Sequence, residues 1–198
     1  MYHVIIINGS GGKGKDTFAK LCLKLAYDSN NSAIDENTLI SLRIMCNIDS
    51  VNSVKSLAII AGWDGSKTES NRKFLSDLKD LLSNWDDVPY KETIKNINIA
   101  IKNIKNFNND DGLIFVHSRE PKEIQRYVNY FGSNTCHTLL VKNPNVPTVT
   151  SNHADKDVEN YRYDFVVYNN KDLESLEDKA KLFYHHLFEQ QIGKYIYD

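Results

Sequence analysis

At 198 residues the chain has the length of one compact domain, which can bury a core without disulfides or a structural metal. Its formal charge of −2 excludes the broad basic field that draws a domain to nucleic acid and leaves only local basic sites. The three cysteines, Cys22, Cys46 and Cys136, form no Cys-x-x-Cys pair, so a zinc ribbon or thiol redox centre is not expected, and buried, reduced thiols are.

The first apolar run is too short for a signal peptide. No run approaches the ~20 residues of a membrane span, so a cytoplasmic protein without membrane partners is expected. Val4 to Ile7 is a β-branched run of the kind found in a strand covered on both faces. Glycines follow, and from Asp16 to Tyr27 the apolar residues Phe18, Leu21, Cys22, Leu25 and Ala26 recur at helical spacing. Leu39 to Met45 reads as a second strand, and Val51 to Ala61 as a helix ended by Gly62, with Ser50 a simple cap. Two further helices are expected over Phe74 to Leu82 and Tyr90 to Phe107, the latter preceded by Pro89.

Leu113 to Val116 is the second clear buried strand. Pro121 then opens a helix that Gly132 closes after Phe131. Thr138 to Val141 and Phe165 to Tyr168 are strands, and Leu173 to Phe188 is a terminal helix with Asp172 as its N-cap. Strands alternating with helices predict an α/β fold, a mainly parallel sheet with helices on both faces. Two polar stretches, 61–71 and 143–163, are long for connections inside one domain and are candidate binding or lid-like loops.

The segment Gly9 to Thr17, GSGGKGKDT, carries the strongest chemical signal. Gly9 and Gly14 have Walker A spacing, with Lys15 following Gly14. Glycines there, Gly11 and Gly12 included, let the backbone turn tightly and aim N–H groups, that of Lys13 among them, at phosphate oxygens. The helix starting near Lys15 adds its positive end, and Lys15 can reach the β- and γ-phosphates of a bound ATP. A standard Walker A places Ser or Thr directly after the lysine, whereas here Asp16 intervenes before Thr17. A carboxylate beside polyphosphate is repulsive unless a cation or proton lies between. Asp16 therefore either holds magnesium, with Thr17 at a phosphate or the metal, or is simply a favourable acid in the first helical turn.

Gly-Lys-x-Thr, and Gly14-Lys15-Asp16-Thr17 in particular, resembles the P-loop nucleoside monophosphate kinases, above all the phage and bacterial deoxynucleoside monophosphate kinases and the related animal phosphomevalonate kinases. The resemblance is strong over residues 3–27 and looser over WDGSKTESNRKFLSDLKDLL and HSREPKEI. It implies a three-layer P-loop NTPase-type sandwich forming one domain over 1–198, with an acceptor-binding segment within 46–110 and a lid at 143–163. It also implies ATP and Mg2+ as cofactors, small nucleotides as partners, and a homodimer as an allowed assembly.

Phosphoryl transfer needs two anions brought into line and their charge neutralised. Arginine suits this because its planar fork binds phosphate bidentately. Of the five arginines, Arg119 is best placed, directly after a core strand and before Pro121, at the sheet edge where open α/β folds bind ligands. Glu120 could orient it or pair with it. Lys67 and Arg72 could close on an acceptor phosphate, with Trp63 flanking its base and Arg43 approaching from a strand; a core role for Trp63 and a solvated Arg72 are the plain alternatives. Lys142, Lys156 and Arg162 are few cations for a kinase lid. A small-metabolite kinase remains an alternative. A guanine-nucleotide switch does not fit, because Asn169-Asn170-Lys171-Asp172 lacks the Asn-Lys-x-Asp spacing.

Overall fold

The computed structural model describes residues 2–29, 45–106, 112–147, 158–188 and 195–197. Strand β1 (Tyr2–Asn8) leads to helix α1 (Lys15–Ser29). After β2 (Met45–Asp49) come three consecutive helices, α2 (Asn52–Ile60), α3 (Glu69–Asp86) and α4 (Val88–Asn106). The chain continues through β3 (Gly112–His117), α5 (Pro121–Phe131), β4 (Cys136–Lys142), β5 (Phe165–Tyr168), α6 (Leu173–Phe188) and β6 (Tyr195–Tyr197).

The six strands form one sheet in the order β2-β3-β1-β4-β5-β6, and every neighbouring pair is parallel. A parallel sheet must be covered on both faces, and the side chains obey that demand: Val4 to Ile7 and Leu113 to Val116 are completely buried. Phe183 joins α6 to α1 through an edge contact with Phe18 and to β5 through Phe165. The α4–α5 pair is joined by Tyr90 stacked on Tyr127, and by Arg126, which pairs with Asp87 and lies over the Tyr90 ring. These helix pairs make the outer layers of an α/β sandwich around the parallel sheet. The crossover from β3 over β1 to β4 places the carboxyl ends of the two central strands at a topological switch point, where such sheets take ligands.

Helix α3 is held differently, for it has no buried residue. Thr68 caps its start by accepting from the Asn71 N–H at 3.2 Å, and Asp87 closes its end in the left-handed conformation with φ 53°. Lys79 anchors its middle to Glu120 and Glu123 of the β3–α5 segment. Leu81 and Trp85 remain 65% and 77% exposed, so capping and ion pairing, rather than burial, hold this helix.

Several expected boundaries shift. Helix α3 begins at Glu69, five residues ahead of Phe74, because Thr68 supplies the cap. The expected strand Leu39 to Met45 lies outside the described residues except for Met45, where the observed β2 begins. Ser50 does not cap α2: it is buried, and Asp49 accepts the Val51 N–H instead. Strand β6 was not expected, since three residues carry no periodicity. Asp172 does cap α6, accepting from the Ser175 N–H at 2.9 Å. Cys22, Cys46 and Cys136 are buried and free, and burial pushes Cys136 up to about 12. No helix among the described residues is long and apolar enough to cross a membrane.

At the amino end of the sheet His3 of β1 faces His137 of β4, Nδ1 to Nε2 at 3.1 Å, with Phe188 and Phe165 edge-on. Burial holds His137 below its ordinary value, with Asp164 opposing in part. The folded ring is therefore uncharged at a pH where the unfolded chain already binds a proton. Stability is complete above the unfolded value of 6.5 and declines as pH falls through it. Urea unfolding midpoints should drop between pH 7.5 and 5.5, and the drop should shrink in His137→Asn; equal pH slopes for the two proteins would refute this origin.

Candidate functional site

The site is organised around the end of β1, where Asn8 is completely buried. Its Oδ1 accepts from the Gly9 N–H at 2.7 Å, and its Nδ2 donates to the Arg119 carbonyl at 3.0 Å and to the Tyr163 hydroxyl at 2.7 Å. Tyr163 in turn donates to the Val158 carbonyl at 2.7 Å. One amide thus fixes the glycine loop, the β3–α5 turn and the segment leading into β5 relative to one another.

The loop from Gly9 to Gly14 has the backbone that its glycines permit. Gly9, Gly12 and Gly14 have φ of 149°, 77° and 94°, in the region that L side chains rarely adopt. A Cβ on Gly9 would lie 2.6 Å from the Val141 carbonyl oxygen, and one on Gly14 would lie 2.3 Å from Asn169 Nδ2. Asn169 leans on the loop from the end of β5, donating to the Lys13 carbonyl at 3.1 Å. The first N–H groups of α1 have no intrahelical partner and add the positive helix end to this concavity. Lys15 is half-buried at its mouth, while Asp16 and Thr17 are exposed.

The Lys13 side chain is engaged away from the loop. It is buried, with Nζ donating to the Asn143 carbonyl at 2.7 Å and to that of Val146. It ties the loop to the turn after β4. Beside it lies a cleft of about 300 Å³ lined by Gly9, Lys13, Asn143, Pro144, Val158 and Tyr168 among others.

Across the loop stands His117, the last residue of β3 and one the motif reading passed over. Its Nε2 meets Asn47 Oδ1, and its Nδ1 lies 3.6 Å from Asp16 Oδ1. Burial pushes its pKa below the ordinary histidine value. Asp16 opposes this, Lys15 adds to it, Asp49 opposes and Lys55 adds. Asp49 and Lys55 pair with each other beside it.

Around the β3–α5 turn and the start of α3 the structure separates the cations by their partners. Glu120 and Glu123 take Lys79, making a clamp between α3 and the β3–α5 segment. Ser118 donates to Glu123 at 3.2 Å. Arg119 is half-buried, its carbonyl held by Asn8. Lys67 and Arg72 are exposed and make no ion pair with any described residue; Arg72 donates from Nε to the Lys67 carbonyl at 3.1 Å. Arg72 precedes Lys79 by two helical turns, about 10 Å along α3 and on the same stripe. Trp63 is half-buried, its indole N–H donating to the Ser66 carbonyl at 3.0 Å. Stretch 61–68 is thus an internally bonded turn, with Asp64 accepting from the Ser66 N–H and from Asn71. Arg43 and Lys156 lie outside the described residues, as do 148–157 of the expected lid.

No known family model matches the chain, and no curated protein matches it. Among solved structures, thymidylate kinase from Ehrlichia chaffeensis aligns over 98% of this chain and 91% of its own, at 11% identity and a TM-score of 0.29. A likeness that loose carries no argument about this chain.

The two ends of the loop predict opposite responses to a methyl group. Gly9→Ala should destabilise by roughly 1–3 kcal/mol, since both its φ and the Val141 carbonyl forbid a side chain. Gly11→Ala meets nothing within 4 Å and should change stability by less than about 0.5 kcal/mol. Parallel urea titrations read both, and equal losses would contradict the loop geometry.

Proposed function

We propose that this protein is a magnesium-dependent kinase transferring the γ-phosphoryl group of ATP to the phosphate of a nucleoside or deoxynucleoside monophosphate. The observation that carries the reading is the glycine loop between β1 and α1, with Lys15 at its mouth and Arg119 fixed beside it through Asn8. Loop amides and Lys15 would receive the donor phosphates. Lys15 then neutralises charge building on the transferring group, the main service a protein offers this reaction.

The donor set fits magnesium. Magnesium is commonly held by one or two carboxylates together with substrate phosphates and water, and Asp16 and Thr17 stand exposed where those phosphates would lie. Among the described residues no group of three His, Cys, Asp or Glu gathers, so a zinc-type all-protein site is not built there. When bound, the cation would supply charge neutralisation between the β- and γ-oxygens. The chain's part is to hold Asp16 and Thr17 on the first turn of α1.

For the acceptor, Arg119 is the rigid candidate and Lys67 with Arg72 the adjustable ones. The alternative acceptor is a small non-nucleotide phosphate; Trp63, its indole N–H engaged by the Ser66 carbonyl, still has its ring face for stacking on a base. Coupled ADP release, measured with ATP and magnesium against the common nucleoside monophosphates and phosphomevalonate, separates the two. No turnover with any of them would sink the kinase reading.

Lys15→Ala should remain folded and lose on the order of 10²–10³ in turnover. Asp16→Asn should shift the magnesium dependence of the rate at fixed ATP; an unchanged titration would return Asp16 to the role of a helix-end acid.

Arg119→Lys retains the charge but not the fork, so it should impair the acceptor kcat/KM despite its conservative look. Arg119→Ala should lower that ratio far more than it weakens ATP binding measured alone. Calorimetry showing the reverse would move Arg119 to the donor site and leave Arg72 and Lys67 to hold the acceptor.

A further inference from the structure

Helix α3 packs against α2 and α4, yet one stripe of it is apolar and faces water. Phe74, Leu78, Leu81 and Trp85 recur along that stripe at the spacing of a heptad seam. Leu78 is half-buried, whereas Phe74, Leu81 and Trp85 are exposed, the last two by 65% and 77%. Lys79 reaches Glu120 and Glu123, so the side of α3 that docks on its own chain is not the side carrying the seam.

Area and order both bear on what covers this stripe. With about 150–250 Å² for a whole aromatic side chain, the three exposed residues leave roughly 400 Å² of apolar surface in water. One partner of a stable interface contributes about 800 Å², of which roughly 450 Å² is apolar. Helix α3 comes close to that requirement alone, and Leu57 and Ile60, exposed one turn apart on the adjoining α2, add to it. The order along the seam is aromatic, leucine, leucine, aromatic at intervals that read the same from either end. A second α3 laid antiparallel therefore sets Phe74 against the partner's Trp85 and Leu78 against the partner's Leu81. Such self-complementarity is what a two-fold interface requires, and antiparallel helices also oppose their dipoles.

We propose that the outer stripe of α3 is the interface of a two-fold symmetric homodimer, in which the α3 helices of two chains pack antiparallel with α2 at the rim. Trp85 and Leu81 are its anchors, the large apolar side chains that pass from water into the contact. The surface stands apart from the glycine loop and from Arg119, so the inference does not depend on the kinase reading.

Sedimentation equilibrium of the full chain at micromolar concentrations should show reversible doubling of the 22.7 kDa chain mass. Trp85 should lose its access to acrylamide as the dimer forms. A chain that stays monomeric throughout would overturn the proposal in either of two ways. Trp85 shielded in the monomer would mean that another stretch of the same chain covers the seam, and Trp85 quenched freely would leave the seam to a different protein.

Variants locate the contact. Leu81→Glu and Trp85→Glu should each raise the dimer Kd at least about tenfold, the loss expected of a buried anchor. Both side chains face water in the single chain, so helix content and the unfolding midpoint of the monomer should be unchanged. Phe74→Lys combined with Trp85→Glu sets opposite charges face to face only if the helices run antiparallel, and should recover affinity relative to Trp85→Glu alone. Dimers of wild-type affinity in both single variants would overturn the interface, and a double variant weaker than Trp85→Glu would overturn the antiparallel pairing. Should Leu81→Glu fail to fold, wild-type sedimentation and Trp85→Glu decide.

Discussion

The geometry of the site depends on a single buried amide. Asn8 ends the central strand and uses Oδ1 and Nδ2 to hold three chain segments that are far apart in sequence. A buried amide left unsatisfied costs on the order of 1–3 kcal/mol per group, so the three segments are constrained to meet there. An apolar residue at this position would leave the Gly9 N–H, the Arg119 carbonyl and the Tyr163 hydroxyl without this partner. It would not fix the Arg119 carbonyl, and the arginine's rigidity relative to the glycine loop would be lost. Asn8 thus converts sheet stability into positional precision at the sheet edge.

Lys13 and Asn169 extend the same logic to the opposite side of the loop. A buried ammonium is tolerable only with its hydrogens directed at acceptors, and the carbonyls of Asn143 and Val146 serve that need. Asn169 fills the space that a Cβ on Gly14 would occupy. The loop is therefore braced from β3 through Arg119, from the turn after β4 through Lys13 and from the end of β5 through Asn169. Three elements thus hold its concave backbone against the sheet.

Much of this was legible in the chain. The β-branched runs and helical spacings located the strands β1, β3, β4 and β5 and the helices α1, α5 and α6, because a parallel sheet writes its burial into continuous apolar segments. The glycine spacing located the loop for the same local reason. What escaped the reading depends on contacts distant in sequence. Asn8 looks like any polar residue after a strand, and its meaning lies in Tyr163. His117 acquires significance only from a register that brings β2 and β1 to either side of it. That the Lys13 side chain fastens the loop to the turn at 143–146 is likewise a contact distant in sequence. Glu120 reads as the neighbour of Arg119, yet its partner is Lys79 on a helix that the periodicity had begun too late.

Partner chemistry also sorts the cations of a chain with slight net negative charge. Lys55, Lys79, Arg126 and Lys142 face Asp49, the Glu120–Glu123 pair, Asp87 and Glu159, so their charge is locally balanced and their role is to fasten elements together. Lys67 and Arg72 make no ion pair among the described residues, and Arg72 spends only its Nε on a carbonyl. A neutralised cation gains little from an arriving phosphate, because a carboxylate must first be displaced; an unbalanced cation faces no such competition. Glu120 and Glu123 thus dock α3 through Lys79, while Lys67 and Arg72 near the start of the same helix make no ion pair among the described residues.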